Sequence, residues 1–598
     1  MHGPSTSEPR MCTLTGALTV LIGLLAVIAF AGAAGTGSAA VNARGAKGPS
    51  PTPTITSDVA HDLSPPLRDL AAGRIAPDAE DPAEEPERGP IATGDLSSDD
   101  GALQSKVGTT SIPSTSQNFE GLSNQDNFNI FGGRVNPPDP NGEVGPNNYV
   151  EMINLVFAVY DKSGNKLLGP VDTGTLWDNF AVPDCTDPSG DPVVLYDQFM
   201  DRWILSQFTT SGMNPDGSFN GKPFYNCVAV SQTGDPTGAY FRYAFITSQA
   251  GSTSTFFPDY PKYGVWADSY ALTSRDFGSQ DEYGISVYAL EKNKMVNGQP
   301  ARAVHFFLDG NDPDVLPLVG DGLLPADVDG KQKPKTDTAI PIVGTQDDNA
   351  SYGATFDALN IFDLSVKWRS TPIASLELNA QLPTAAFDSI FPCGVVPGSL
   401  PPSSRDCLPQ PGITDGSQYL DILSYRQRPT FRLAYRNFKD YEALVTNQSV
   451  EATPGVAGAR WYEIRRTGST YSLYQQGTYA PGDGVHRWMG STAQDKKGDM
   501  ALGYSVVNGT TVFPGIRYTG RLAGDPLGQM TLGEGTIING SGVQTTTNSR
   551  WGDYTDMTVD PVDDCTFWYV NEYYLTSGTP ADTRPWHTRI ASFKLPGC

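Results

Sequence analysis

From about residue 118 to the end, apolar and polar positions alternate along short runs, and turns rich in Gly, Asn or Asp close the runs. Tyr149-Val-Glu-Met-Ile-Asn-Leu-Val-Phe-Ala-Val-Tyr160 stops at Asp161-Lys-Ser-Gly164 and resumes at Lys166-Leu-Leu168. Val193-Val-Leu-Tyr-Asp197 turns at residues 198–201 and resumes as Arg202-Trp-Ile-Leu-Ser-Gln-Phe208. Met500-Ala-Leu-Gly-Tyr-Ser-Val-Val507 follows the turn Lys496-Lys-Gly-Asp499. A period of two between such turns predicts hairpins. No long helical period interrupts them.

A second, slower rhythm overlies the first. An acidic or amide residue beside Pro or Gly, then an aromatic, precedes many of the strands. The phrase reads Asp139-Pro-Asn-Gly-Glu-Val-Gly-Pro-Asn-Asn-Tyr149, Asp191-Pro-Val-Val-Leu-Tyr196 and Phe257-Pro-Asp-Tyr-Pro-Lys-Tyr-Gly-Val-Trp266. It returns as Leu324-Pro-Ala-Asp-Val-Asp-Gly330, His486-Arg-Trp-Met-Gly490 and Arg550-Trp-Gly-Asp-Tyr554. Spacings of roughly 50 to 70 residues lie near those of repeat architectures. The fold class expected is all-β: one closed β-propeller of about seven blades over residues 118–598, with the phrases at the entries to its inner strands. Closure would also remove sheet edges liable to aggregate.

Residues 41–117 read differently. Pro, Ser, Thr, Ala and acidic residues dominate, as in Pro51-Thr-Pro-Thr54 and the stretch from Glu80 to Glu87, which predicts a disordered stalk. Residues 1–40 hold Arg10, an apolar run from about Leu14 to Ala34, and Ser38-Ala-Ala40. This is a signal peptide or, if uncleaved, a membrane anchor and the chain's sole contact with a membrane. Either way the bulk of the protein is expected to be secreted or at the cell surface.

Charge and cysteine content sharpen that picture. A formal charge of −25 argues against a nucleic-acid partner, which needs a basic surface. Cys12 precedes the apolar run; the remaining six cysteines suit disulfides in an exported protein. Neighbour pairing gives Cys185–Cys227, Cys393–Cys407 and Cys565–Cys598, and no spacing suits zinc.

In a propeller, ligands meet the mouth of the central channel. The phrase residues are therefore the ligand-binding candidates: Asp139, Asp191, Asp259, Asp327, His486, Arg487, Trp488, Arg550, Trp551 and Asp553. The aspartates also suit turns, and the arginines of Tyr425-Arg-Gln-Arg428, Arg432-Leu-Ala-Tyr-Arg436 and Arg550-Trp-Gly-Asp553 also suit ion pairs between blades. His486 offers a general base or a packed ring. Arg487-Trp488 and Arg550-Trp551 are expected to form one wall of a pocket. Asp139-Pro-Asn-Gly-Glu143 and Asp327-Val-Asp-Gly-Lys-Gln332 space oxygen ligands as calcium favours, without the remaining EF-hand pattern. Calcium is the one cofactor weighed, and no catalytic residue is assigned. No nucleophile elbow or phosphate loop is present.

Taken together, Pro138-Asp-Pro-Asn-Gly142, Asp191-Pro-Val-Val-Leu-Tyr-Asp197, Phe257-Pro-Asp-Tyr-Pro-Lys262, Leu433-Ala-Tyr-Arg-Asn-Phe438, Gln475-Gln-Gly-Thr-Tyr-Ala-Pro481 and Arg550-Trp-Gly-Asp-Tyr554 form a set. The set resembles large secreted bacterial β-propeller proteins, often joined to adhesion-type modules, to which no activity attaches. A sialidase-like ring is a more distant resemblance, and the Ser-x-Asp-x-Gly-x-Thr-Trp box of that group is missing. Two functions are implied. One is an extracellular ligand-binding or adhesion module recognising a glycan or cell-surface polymer. The other is a glycan-active hydrolase or lyase using carboxylates at the channel mouth.

Overall fold

The structure, a computed structural model, describes residues 48–73, 100–247, 256–279, 282–335, 338–348, 352–389, 406–422 and 427–598. All fall within the compact unit Ala40–Cys598. The leader expectation for residues 1–40 lies outside the described residues. Among the described residues, no helix is long and apolar enough to cross a membrane.

The chain is all-β. Seven sheet units follow one another, opened by the strands Asn141–Val144, Val193–Asp197, Phe257–Val265, Leu324–Asp329, Thr430–Asn437, His486–Gln494 and Asp556–Val559. Units 1 to 6 are antiparallel meanders of four consecutive strands, as the hairpin pattern predicts. The opening strands are almost wholly buried, and each lies beside the next, with the seventh beside the first. No continuous hydrogen-bonded barrel results. The units remain separate sheets except 4 and 5, whose opening strands pair in parallel from Ala326↔Leu433 to Asp329↔Arg436.

Unit 7 has only three strands of its own. Its fourth is Gln117–Ser123, which pairs antiparallel with Trp586–Lys594 through Ala591↔Asn118 and Ile590↔Phe119. A strand that precedes unit 1 thus completes the sheet of unit 7. Glu151 of unit 1 lies buried against this seam. It accepts from Leu122 N at 2.9 Å, from Tyr160 Oη at 3.2 Å and from the Thr588 hydroxyl. Burial pushes its pKa up to about 7, against three hydrogen bonds that lower it.

The stalk expectation for residues 41–117 is corrected for 48–73 and 100–117. Gly48 sits so close to Leu378 of unit 4 that a Cβ there would fall 2.5 Å from Leu378 Cβ. Thr54–Ser57 adds a fifth strand to unit 3, and Ala60–Leu63 adds one to unit 2. The helix Leu67–Gly73 then packs on the last strand of unit 1, Lys166–Asp172. Further on, Leu103–Gln104 extends unit 5 and Thr110 bridges to Leu532 of unit 6. The N-terminal segment is a belt that touches the rims of all seven units. Its physical role is to cover edges whose N–H and C=O groups would otherwise be unpaired. Residues 74–99 lie outside the described residues.

Two outcomes follow from the belt and the seam. Deleting residues 48–73 from the full chain should lower the unfolding temperature and promote aggregation. An unchanged melt would show that the belt contributes nothing. Glu151 binds its proton more tightly folded than unfolded, so its contribution is full below about pH 4.5 and is lost as pH rises through about 7. The loss is roughly 3 kcal/mol, and Glu151→Gln should flatten the stability profile across that window in chemical denaturation. A profile that keeps its slope would refute the assignment.

Candidate functional site: a polar cluster where the strands enter

At or near the start of each opening strand one residue takes a left-handed backbone, five of them just before the strand and two, Tyr260 and Met489, at bulges inside it. The seven are Asp139 (φ 49), Asp191 (51), Tyr260 (52), Gly320 (52), Gln427 (35), Met489 (45) and Asp553 (66). Aspartate and glycine tolerate this conformation; Tyr, Gln and Met adopt it at a cost of order 1–3 kcal/mol, which surrounding packing must offset. The seven positions bring side chains from separate units together at one end of the ring.

Asp139 donates its backbone N–H to Gly552 O at 2.9 Å, joining units 1 and 7. The Asp191 carboxylate accepts from Tyr260 N at 3.0 Å and Tyr554 Oη at 3.1 Å. The carboxyls of Asp139 and Asp191 lie near enough for each to shift the other's proton affinity. Burial, then the Asp191 charge, hold the Asp139 pKa well above the ordinary carboxylate range. Burial and Asp259 also raise Asp191, against the Lys262 charge. Were both ionised, neither Asp139 oxygen would have a hydrogen-bond donor. A proton on one of two neighbouring carboxyls supplies a donor to the other and relieves their repulsion.

Cations surround the pair. Lys262 Nζ lies 2.9 Å from the centroid of the Tyr260 ring and 3.5 Å from that of Tyr554, fully buried, and burial pushes its pKa well below the usual range. Arg428 stacks on the other side of the cluster, 3.6 Å from the Tyr260 centroid and 3.9 Å from Asp553. Arg550 pairs with Asp553 and reaches Asp421 at 4.0 Å. Arg275 bridges Asp321 at 3.2 Å and Asp259 at 3.5 Å. Asp259 and Arg550 keep 17% and 25% of their side-chain surface exposed, so the cluster opens to solvent there. The Gln427 side-chain amide and the Tyr260 hydroxyl, both buried, have no hydrogen-bond partner among the described residues.

Deeper along the opening strands, Arg432 donates to Asp327 at 2.6 Å and to both oxygens of Asp329 at 2.8 and 2.7 Å. Asp556 lies 3.7 Å away, and Glu143 also faces the guanidinium. Burial raises Glu143 and Asp556 well above the ordinary range, against the Arg432 charge. The calcium reading is corrected here. A guanidinium already occupies the place between Asp327 and Asp329 that a cation would take, and Asp139 and Glu143 belong to different clusters.

Of the sequence candidates, Asp139, Asp191, Asp259, Arg550 and Asp553 meet in the cluster at the strand entries. Asp327 lies below it. The wall expected from Arg487-Trp488 and Arg550-Trp551 does not form. Trp488 and Trp551 are fully buried, 5.3 Å apart, and Trp551 Nε1 donates to Ser505 Oγ at 3.0 Å. They fill the wedge between units 6 and 7. Arg487 is buried within unit 6 against Asp483 and Glu534, each at 2.8 Å. His486 accepts from Ala457 N at 3.3 Å, and burial lowers its pKa to about 4, which suits the packed ring. Tyr260, Lys262, Gln427, Arg428 and Tyr554 were not among the candidates. All five stand inside segments quoted above, whose aromatic and cationic positions carried the signal.

Cys185–Cys227 and Cys565–Cys598 are disulfides with Cα atoms 6.0 and 5.6 Å apart. Cys407 is also disulfide-bonded, while Cys393 lies outside the described residues.

Arg432→Met should leave up to four buried carboxyls uncompensated. A loss of about 3–5 kcal/mol is expected at pH 7, shrinking as the carboxyls take up protons toward pH 4. Equal destabilisation at both pH values in urea titrations would mean that packing, not charge, is what Arg432 provides.

No family model matches the chain, and no curated protein matches it. Among solved structures, an endo-arabinase from Bacteroides thetaiotaomicron VPI-5482 aligns at 14% identity and TM-score 0.23, over 55% of this chain and 92% of that one. An exo-beta-1,3-galactanase from Clostridium thermocellum aligns at 11% identity and TM-score 0.28, over 82% and 97%. A Dyadobacter fermentans protein of unknown function aligns at 10% and 0.22, over 57% and 95%. Scores this low constrain neither fold nor chemistry.

Proposed function

We propose that the seven units form one closed, seven-bladed β-propeller. The cyclic contact of the opening strands and the seventh sheet, completed by a strand that precedes the first unit, support closure. We further propose an exported, glycan-active hydrolase or lyase whose reacting groups are the carboxyls at the strand entries. Two disulfides suit an oxidising compartment outside the cytoplasm.

The observation that favours catalysis over plain adhesion is the Asp139–Asp191 pair. Turn-forming aspartates would be exposed and fully ionised. This pair is desolvated and burial raises both carboxyls above the ordinary range, which suits groups that give a proton and take one back. Hydrolysis at a sugar needs two carboxyl groups about 5–9.5 Å apart. In this reading Asp139 and Asp191 act as one proton-transfer unit, and the partly exposed Asp259 supplies the second carboxylate. Lys262, in its tyrosine cage, favours an ionised Asp191 when it carries its proton, and burial makes that proton easier to lose. Tyr260, Gln427 and Arg550 offer the hydrogen bonds and ring surface that a sugar hydroxyl array would use.

The test is turnover of soluble polysaccharides by the exported full-length protein, following new reducing ends for hydrolysis and unsaturated products for elimination. Asp191→Asn should cut turnover by about 100-fold or more with the melting temperature little changed. A wild-type protein that binds polysaccharide and releases no product would return the chain to the adhesion reading. Full turnover in Asp191→Asn would remove the pair from the chemistry.

A further inference from the structure

A second polar cavity lies at the opposite end of the ring. The opening strand of unit 1 leaves Asp139 and turns at residues 145–147; that of unit 2 leaves Asp191 and turns at residues 198–201. Asn147 and Asn148 from the first turn, Tyr196 and Asp201 beside the second, and Thr233 and Asp235 from a neighbouring turn line a cavity of about 460 Å³.

Its polar groups are held in place before any ligand arrives. Asp201 has a left-handed backbone (φ 53), and the Tyr196 hydroxyl donates to its Oδ1 at 2.6 Å. Gly234 closes against the same carboxylate, where a Cβ would fall 2.2 Å from Oδ1. The Gly234 carbonyl in turn accepts from Trp203 Nε1 at 3.1 Å. Asp235 accepts from Arg68 Nη1 at 2.8 Å, and Arg68 belongs to the belt helix. The belt therefore shapes one wall.

The lining selects by chemistry. Two carboxylates repel anions, and of the cations beside them Arg68 is paired with Asp235 while Arg202 donates to the Asp201 and Met200 carbonyls. A metal ion needs more converging oxygens, and the acidic groups close enough to share an ion among the described residues do not include Asp201 or Asp235. Carboxylates that accept, beside amides and a hydroxyl that both donate and accept, match a group of neutral hydroxyls. We propose that this cavity is a glycan-binding subsite for a neutral sugar unit, separate from the mouth. This rests on the glycan reading above only for the identity of the polymer.

The test uses full-length protein and neutral hexasaccharides of glucose, galactose, xylose and arabinose, read by hydrogen–deuterium exchange. At least one should slow exchange in the turns at residues 145–148 and 232–236. Asn147→Ala and Asp201→Asn should each weaken that protection by about tenfold in the sugar concentration required, with unchanged melting temperature. EDTA should leave the protection in place. Protection by none of the four sugars, equal protection in both variants, or its loss in EDTA would overturn the subsite. Because the readout is local, it stands or falls independently of product release at the mouth.

Discussion

A guanidinium buried where four sheets meet is the constraint on which the centre depends. Arg432 comes from unit 5; its partners Asp327 and Asp329 come from unit 4, Asp556 from unit 7 and Glu143 from unit 1. A charge removed from water is costly unless it is paired and hydrogen-bonded. The units must therefore hold the spacing at which Arg432 can reach its partners. Units 4 and 5 answer by fusing through parallel strands, and the hydrogen bonds from Arg432 to Asp327 and Asp329 cross that fusion.

The same physics explains why the mouth differs from the middle. Below, the guanidinium makes direct, short contacts with two carboxylates. Above, the seven left-handed entries fix the backbone so firmly that side chains from different units meet whether or not each finds a partner. Asp139, Tyr260 and Gln427 are the result: buried polar groups whose hydrogen-bonding capacity is incompletely used. Strain and unmet polarity in one place are typical of sites that act on something else.

Much of this was legible in the chain. The unit repeat was readable because Asp, Pro and Gly mark the sharp entries, and the strands behind them alternate with period two. Cys185–Cys227 and Cys565–Cys598 followed from neighbour pairing. Other features were hidden for physical reasons. The belt strands Thr54–Ser57 and Ala60–Leu63 are four residues long and half-exposed, so they need no apolar face and read as stalk. Trp488 and Trp551 looked like ligand platforms, since a phrase cannot tell an indole that faces the channel from one that fills the wedge between units. Arg432 pairs with residues about 100 or more positions away, a distance at which local pattern carries no information.

The completed seventh sheet also sets an order of assembly within the chain. Gln117–Ser123 is made before any of the seven units, yet its partner strand Trp586–Lys594 belongs to the seventh. That sheet cannot be completed until all seven units have been made, however well the early ones are formed. The entropy cost of joining strands so far apart grows only slowly with the length between them, so what delays the junction is supply of chain, not distance. The Cys565–Cys598 disulfide then ties the segment after Trp586–Lys594 back to the same sheet.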